Sequence, residues 1–342
     1  MRILLTADPE IPVPPEQYGG IERIIGALAS HYRKAAHQVG LAAHPDSRAE
    51  VDSFFAWPGA RSRRVVDLVR NTRALHLAIK SFRPEIVHSF SRIFYLAPHL
   101  GSGLPKIMSY QRAPTRRTVR MAVRLAGSRL AFTGCSEHIC RQGRGGGGRW
   151  HAIHNFVDVD RYTFQPSVAR NAPLVFLSRI ERIKGAHTAI EVAKRSGRRL
   201  LIAGNHTGEG EAGAYWRSVI LPELGKNGIE YVGPVGDREK NQLLGSALAL
   251  VVPVEWDEPF GIVFAESLAC GTPVISTPRG ALPEIVRHGI DGFLDSATAG
   301  LCRAVEQLGR IRRRDCRQRA EEAFSGQVIV RKYLELYAAL IS

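Results

Sequence analysis

The chain has 342 residues, 44% of them apolar, with a formal charge of +15 and an isoelectric point near 10. That length holds two domains of ordinary size, and an apolar content without long polar runs marks a globular protein rather than a disordered one. No segment reaches the roughly 20 apolar residues of a membrane span, and the basic excess, 39 Arg against 8 Lys, narrows the partners to nucleic acid, an anionic membrane face or an anionic small molecule, unless it reflects only a GC-rich genome. Five cysteines, Cys135, Cys140, Cys270, Cys302 and Cys316, form no CxxC pair and no zinc spacing. Reduced thiols in a cytoplasm are therefore expected.

The opening MRILLTADPE reads as a first strand over 3–7, too short for a signal peptide. A loop over 8–20 leads to a helix over 21–34, where Ile21, Ile24, Ile25, Leu28 and Tyr32 recur at helical spacing, and to a strand over 39–43. Gly19 and Gly20 stand where the helix opens; glycines there let a ligand approach the backbone, and a helix N-terminus favours a phosphate. A helix over 65–79 and strands over 85–88 and 107–110 follow. His88 ends its strand on the side where open parallel sheets bind ligands. A structural imidazole and an acceptor-side group are the two readings of it, and nothing nearby in sequence completes a constellation.

A basic helix over 115–126 puts Arg116, Arg120 and Arg124 on one stripe and Val119, Val123 and Leu125 toward another side. It reads as a solvated arginine face or as a surface docking an anionic acceptor or membrane lipid. No aromatic residues interleave it, which disfavours single-stranded nucleic acid. After a strand over 130–133 and a helix capped by Ser136, residues 143–148 hold five glycines and one arginine and should be a mobile loop. A strand over 150–154 closes a first domain, 1–157, and 158–171 reads as a linker. Asp158-Val159-Asp160 spells a DxD, which is rejected as a metal site because no His, Asp or Glu cluster accompanies it.

The second domain, 172–325, opens with a strand over 174–177 and the segment Ser178 to Gly185. Arg179 and Lys184, five residues apart in a strand-to-helix loop, can pinch a diphosphate, Arg as a fork and Lys as a point charge. A strand over 200–203, a helix over 214–224 and a strand over 229–232 precede the turn Gly233-Pro234-Val235-Gly236. Next, a buried strand over 248–252 enters a loop broken by Pro253, Pro259 and Gly261, and an apolar helix runs from Ile262 to Gly271. Glu258 falls in that loop and Glu266 about one turn inside the helix, so both carboxylates can look toward the helix N-terminus. The amides of Gly261, Ile262 and Val263 suit an anion there, and carboxylates bind sugar hydroxyls. A sugar nucleotide satisfies both demands. Strands over 274–276 and 292–294 follow, and the last helices end near residue 340. Strand–helix alternation without a repeat points to an α/β protein of two Rossmann-like domains with a cleft between them.

The run EPFGIVFAESLACGTPVI also resembles the signature of the family-4 retaining glycosyltransferases, which have the GT-B fold: two glutamates seven residues apart bracket a Gly-Phe-Gly-like turn before a small-residue helix and Gly-Thr-Pro-Val. Pro259 replaces the usual first glycine. Gly19-Gly20-Ile21-Glu22 and Ser178-Arg179…Lys184-Gly185 match further motifs, with Ser178 in place of a glycine. The resemblance implies that Gly19 and Gly20 contact donor phosphates from the first domain and that Arg179 and Lys184 neutralise the leaving diphosphate. Pro234 and Val235 would seat the nucleobase, with Glu258, Phe260, Gly261, Ile262, Val263 and Glu266 around the donor. It also implies that a tail over about 326–342 packs back on the first domain. Gln111 stands where relatives often carry a histidine near the reacting sugar; Gln cannot accept a proton but can hydrogen-bond a hydroxyl.

The function expected is transfer of a sugar from a nucleotide diphosphate sugar, a UDP-sugar first, to a hydroxyl of a glycan, lipid-linked glycan or secondary metabolite. Catalysis would rest on Glu258, Arg179 and Lys184, with no metal or other cofactor. Gln111, His88, Arg116 and Arg120 are the acceptor-side candidates. The chain is similar to glycosyltransferases of actinomycete antibiotic pathways such as orthosomycin assembly. A monomer without nucleic-acid partners is expected, with peripheral membrane contact open. Two rivals remain: a sugar-nucleotide epimerase on the same fold, with His88, Asp8, Glu10 and Glu16 to supply acid and base, and a nucleic-acid-binding protein suggested by charge alone.

Overall fold

The computed structural model describes residues 1–15 and 19–342, so the loop acid Glu16 lies outside the described residues. The chain divides into two compact units, Met1–Phe156 with Gly326–Ser342, and Val157–Ser325. No helix among the described residues is long and apolar enough to cross a membrane.

In the first unit β1 (Arg2–Thr6), β2 (Gln38–Ala43), β3 (Ser53–Ala56), β4 (Ile86–Ser89), β5 (Lys106–Tyr110), β6 (Leu130–Gly134) and β7 (Arg149–Ala152) form one sheet in the order β3-β2-β1-β4-β5-β6-β7. Every pairing is parallel; Ile3 in the central β1 registers with Val39 on one side and Ile86 on the other. Parallel sheets are covered on both faces, which is why these strands are apolar runs rather than alternating ones. Helix α1 (Gly20–Lys34) buries Ile24, Ile25, Leu28 and Tyr32, as their spacing predicts, and packs with the C-terminal helix Gly326–Ile341. On the sheet's other side α2 (Val65–Phe82), a 3₁₀ segment (Ile93–His99) and α3 (Arg116–Ala126) share one apolar cluster with Leu4, Val87, Met108 and Phe132.

The first unit departs from expectation at three places. The edge strand β3 escapes the sequence because its four residues alternate between half-buried and exposed and make no apolar run. On α3 it is Ala122 and Ala126 that bury with Val119, whereas Leu125 is 56% exposed. The glycine run is not an open loop: α4 (Glu137–Arg144) extends into it, and a Cβ on Gly143 would lie 2.2 Å from the ring of Trp150. Glycine serves close packing there rather than flexibility.

The second unit has a sheet of β8 (Leu174–Leu177), β9 (Leu200–Ala203), β10 (Ile229–Gly233), β11 (Ala249–Val251), β12 (Val274–Ser276) and β13 (Gly292–Leu294) in the order β10-β9-β8-β11-β12-β13, again all parallel. Its helices are α5 (Ala186–Ser196), α6 (Gly210–Tyr215), α7 (Asp237–Ser246), α8 (Ile262–Ala269), α9 (Leu282–Ile285), α10 (Thr298–Gln307) and α11 (Arg313–Phe324). The helix expected over 214–224 starts earlier and passes after Tyr215 into a π-helical turn, Trp216–Ile220. Residues 158–171, expected as a linker, belong to this unit: the Thr163 amide donates to Asn241 (3.0 Å) and the Gln165 amide to the Cys270 carbonyl (3.0 Å).

Candidate functional site

Strands β8 and β11 are neighbours, so the loops leaving their C-terminal ends lie side by side, where open α/β sheets place ligands. The Glu255 amide donates to the Ile183 carbonyl across the two loops (2.8 Å). Gly185 is held at φ 77°, and a Cβ there would lie 2.0 Å from the Pro253 carbonyl oxygen. Lys184 is thereby set against the β11 loop: its Nζ donates to Glu258 Oε2 at 2.6 Å and lies 4.6 Å from the ring centre of Trp256. Trp256 Nε1 donates to the same oxygen at 3.0 Å. Lys184 and Glu258 are each 8% exposed, so the pair sits at the edge of water with each charge answering the other. Backbone bonds fix the carboxylate's base, since the Glu258 carbonyl accepts from the Ala281 amide at 2.9 Å.

Three residues on, Gly261 caps α8 at φ 80°. A side chain there would meet the Phe264 ring at 2.6 Å and the Glu258 side chain at 3.1 Å, so glycine is required by both backbone and space. The cap offers no side-chain acceptor, and the first amides of a helix have no partner within it. Those of Ile262 and Val263 therefore start an electropositive end beside Glu258. One turn further, Glu266 Oε1 accepts from the Tyr162 hydroxyl and from Lys240 Nζ, each at 2.6 Å. Burial first, and then the Glu266 carboxylate, push the Tyr162 phenol far above its ordinary range, so it remains a donor. Arg179, at the end of β8, is ion-paired to Glu181 at 2.6 Å.

Family models divide this chain between its units: "Glycosyltransferase Family 4" matches residues 18–161 and "Glycosyl transferases group 1" residues 164–322. The chain belongs to the family-4 glycosyltransferases and has the GT-B fold. A D-inositol 3-phosphate glycosyltransferase of Mycobacterium avium is 33% identical over 177 residues, 46% of this chain and 41% of that protein. The chain spans less than half the length of such curated relatives. Two solved structures share the fold over nearly the whole of both chains. AviGT4, titled a glycosyltransferase involved in avilamycin A biosynthesis, is 24% identical with a TM-score of 0.75, covering 99% and 98%. HepE of Anabaena, solved with UDP and glucose, is 20% identical with a TM-score of 0.76, covering 99% and 100%.

In this family member the structure joins Lys184 directly to Glu258 and places both beside the α8 N-terminus; Arg179 leaves the neighbouring strand end. Pro234 and Val235 lie in the turn after β10, at the start of α7, which Glu239 caps by accepting from the Gly236 amide at 2.7 Å. Sequence reasoning missed Trp256, Tyr162 and Lys240, the partners of the two glutamates. Only Trp256 carried a signal, being two residues from Glu258. It also missed an aromatic cluster at the ends of β9 and β10, where His206 stacks on Trp216 at 3.9 Å and Tyr231 meets Trp216 edge-on at 4.8 Å.

In the first unit Gly19 and Gly20 open α1, and a Cβ on Gly19 would lie 2.9 Å from a Glu22 carboxylate oxygen. Gln111 Oε1 accepts from Asn155 at 2.8 Å, and Arg116 and Arg120 stand exposed on α3. His88 is corrected to a core residue: it is fully buried, its Nδ1 is 2.5 Å from the Tyr337 hydroxyl and its Nε2 2.6 Å from Ser109 Oγ. With no exposed atom it cannot touch an acceptor. Of the loop acids, Glu10 accepts from the Ser62 amide at 2.6 Å. Asp8, at the end of β1, keeps a buried oxygen without a partner, and burial raises its pKa to about 6.

Proposed function

We propose that the protein transfers a sugar from a nucleotide diphosphate sugar, with UDP as the nucleotide, to an acceptor hydroxyl with retention at the anomeric carbon and without a metal. The observation that carries this reading is the Lys184–Glu258 pair beside the α8 N-terminus: one carboxylate for hydroxyls and one ammonium with free amides for a diphosphate. The structural relative HepE, solved in complex with UDP and with UDP-glucose, supports the nucleotide.

In the reaction the bond from the anomeric carbon to the diphosphate oxygen breaks and a bond to the acceptor oxygen forms on the same face. The acceptor proton passes to an oxygen of the departing diphosphate, so no protein base is required. Lys184, Arg179 and the amides at Gly261 to Val263 stabilise the charge growing on that diphosphate, the electrostatic contribution that usually dominates such sites. Glu258 holds the donor sugar and faces its oxocarbenium-like centre. As a nucleophile it would have to attack from the far face, which a carboxylate already held by Lys184 and Trp256 is badly placed to do. Glu266, fixed by Tyr162 and Lys240, holds the ribose hydroxyls. Acceptor candidates are a polysaccharide end, a lipid-linked glycan or a secondary metabolite, the last supported by a structural relative that takes part in avilamycin A biosynthesis.

Thermal-shift titration with UDP-, GDP-, ADP- and dTDP-sugars tests the donor, because a ligand of the folded state raises its melting temperature by mass action. NMR of the product's anomeric configuration then tests retention. Silence toward every nucleotide sugar, or an inverted product, overturns the reading.

A further inference from the structure

The charge excess of this chain is not spread along it. Residues 53–136 hold 15 Lys and Arg against two acids, Asp67 and Glu85, a net of +13 out of +15 for the whole chain. The unit Val157–Ser325 carries 22 basic and 21 acidic side chains and is nearly neutral. A genome that drifts toward arginine would enrich both units alike, so composition alone does not explain where the charge sits.

Seven of those 15 cations lie on α2 and α3, which belong to one layer. Helix α2, the 3₁₀ segment Ile93–His99 and α3 all bury their inner sides in the same apolar cluster on one side of the seven-stranded sheet, and the 3₁₀ segment packs against both helices. Their outer sides are therefore neighbours. Those outer sides carry seven of the twelve large apolar side chains that are exposed among the described residues. Leu77 is 64% exposed and Val66 and Val69 share its helix; Phe94 follows on the 3₁₀ segment, and Met121 and Leu125 on α3 are 53% and 56% exposed. Arg70, Arg73, Arg117 and Arg124 stand among them, and the sole acid of either helix, Asp67, is buried.

We infer that the outer side of the α2–α3 layer docks on an anionic lipid bilayer, with the apolar side chains entering the interface and the arginines meeting the headgroups. Apolar and cationic side chains on one exposed helical surface are what the boundary between headgroups and acyl chains accommodates together. A nucleic acid would neutralise the arginines but leave Leu77, Met121 and Leu125 in water, and Phe94 alone offers a ring for a base. Isolated exposed apolar residues are ordinary on protein surfaces; seven gathered on one layer are not.

The test is co-sedimentation of the full chain with vesicles of phosphatidylcholine alone and of phosphatidylcholine with phosphatidylglycerol. Binding is expected only to the anionic vesicles and should weaken as salt is raised. The double reversal Arg73→Glu with Arg124→Glu should lower partitioning by well over tenfold, at about fivefold per cation removed. The apolar pair Leu77→Ser with Met121→Ser, which leaves the charge unchanged, should lower it by about tenfold, each variant keeping the wild-type melting temperature. Arg73→Lys with Arg124→Lys should bind as wild type. No retention on anionic vesicles overturns the inference. So does binding to the anionic vesicles that the apolar pair leaves intact, since that outcome makes the surface a generic polyanion site. None of these readouts depends on sugar transfer.

Discussion

Nζ of Lys184 and Oε2 of Glu258 lie 2.6 Å apart, and neither side chain is more than marginally exposed. The sequence reading set these two groups to separate tasks, the cation for phosphate and the acid for sugar. They also hold each other, so a change at either end disturbs both tasks. Glu258→Ala should lower kcat by about a hundredfold or more, the usual effect of losing one preorganised charged contact. It should also cost about 3 kcal/mol of stability because Lys184 is left partly buried and unpaired. Glu258→Gln, which keeps the shape and can still accept from Trp256, should recover most of the stability and little of the rate. Steady-state kinetics beside urea melts separate the two effects; full activity in the Ala variant would remove Glu258 from the reaction.

Tyr162 and Lys240 converge on one oxygen of Glu266 and fix its rotamer. Tyr162→Phe removes a hydrogen bond to a charged group, worth about 1.5–3 kcal/mol. The KM for the nucleotide sugar should rise about tenfold with kcat little changed, because ribose binding is uniform through the reaction. An unchanged KM would place the ribose elsewhere.

Gly261→Ala puts a Cβ into the Phe264 ring at a backbone angle of 80°. The strain should cost about 1–3 kcal/mol. Nucleotide affinity should fall with it, since the amides of the α8 N-terminus move. A titration calorimetry series with UDP, run beside thermal melts, reads both; normal UDP affinity in a destabilised variant would dissociate the helix end from phosphate binding.

Burial lifts the Asp8 carboxyl from its ordinary 3.8 to about 6. Between those values the folded chain binds a proton that the unfolded chain releases, so stability falls as pH rises through the window and stays lower above it. Asp8→Asn should therefore be more stable than wild type at pH 8, by roughly 1–3 kcal/mol, and equal to it near pH 4. A variant less stable than wild type at pH 8 would show that the charged form is favoured instead.

His88 behaves in the opposite sense. Burial lowers its pKa from 6.5 to about 3, so the folded chain refuses a proton that the unfolded chain accepts. The contribution of His88 to stability is complete above pH 6.5 and should fall by about 2 kcal/mol on reaching pH 5. Urea melts of wild type and His88→Gln at pH 7 and 5 check this: the stability difference between the two should shift by about 2 kcal/mol in favour of the variant at pH 5, a comparison in which the opposite contribution of Asp8 cancels.

Motifs with fixed spacing were legible because local backbone carries them. The β11 loop, Gly261 and the start of α8 stand where Pro253, Pro259 and Gly261 break the apolar run. The partners of Glu258 and Glu266 were harder to find because contact, not spacing, joins them: Lys240 lies 26 residues from Glu266 and Tyr162 lies 104. Residues 143–148 show the limit of composition. Glycine there reads as freedom, and only the placement of Trp150 reveals it as room for a ring. His88 was ambiguous for a similar reason, since Tyr337, 249 residues away, decides its role.

The hydroxyl of Tyr337 bridges His88 in β4 and Tyr32 in α1, so the last turns of the chain are wired into a core begun at its first strand. During synthesis the core of the earlier unit stays incomplete until the helix Gly326–Ile341 has left the ribosome, while the unbroken segment Val157–Ser325 can settle first. Cutting the chain after residue 325 would thus damage the portion made earliest and spare the portion made later.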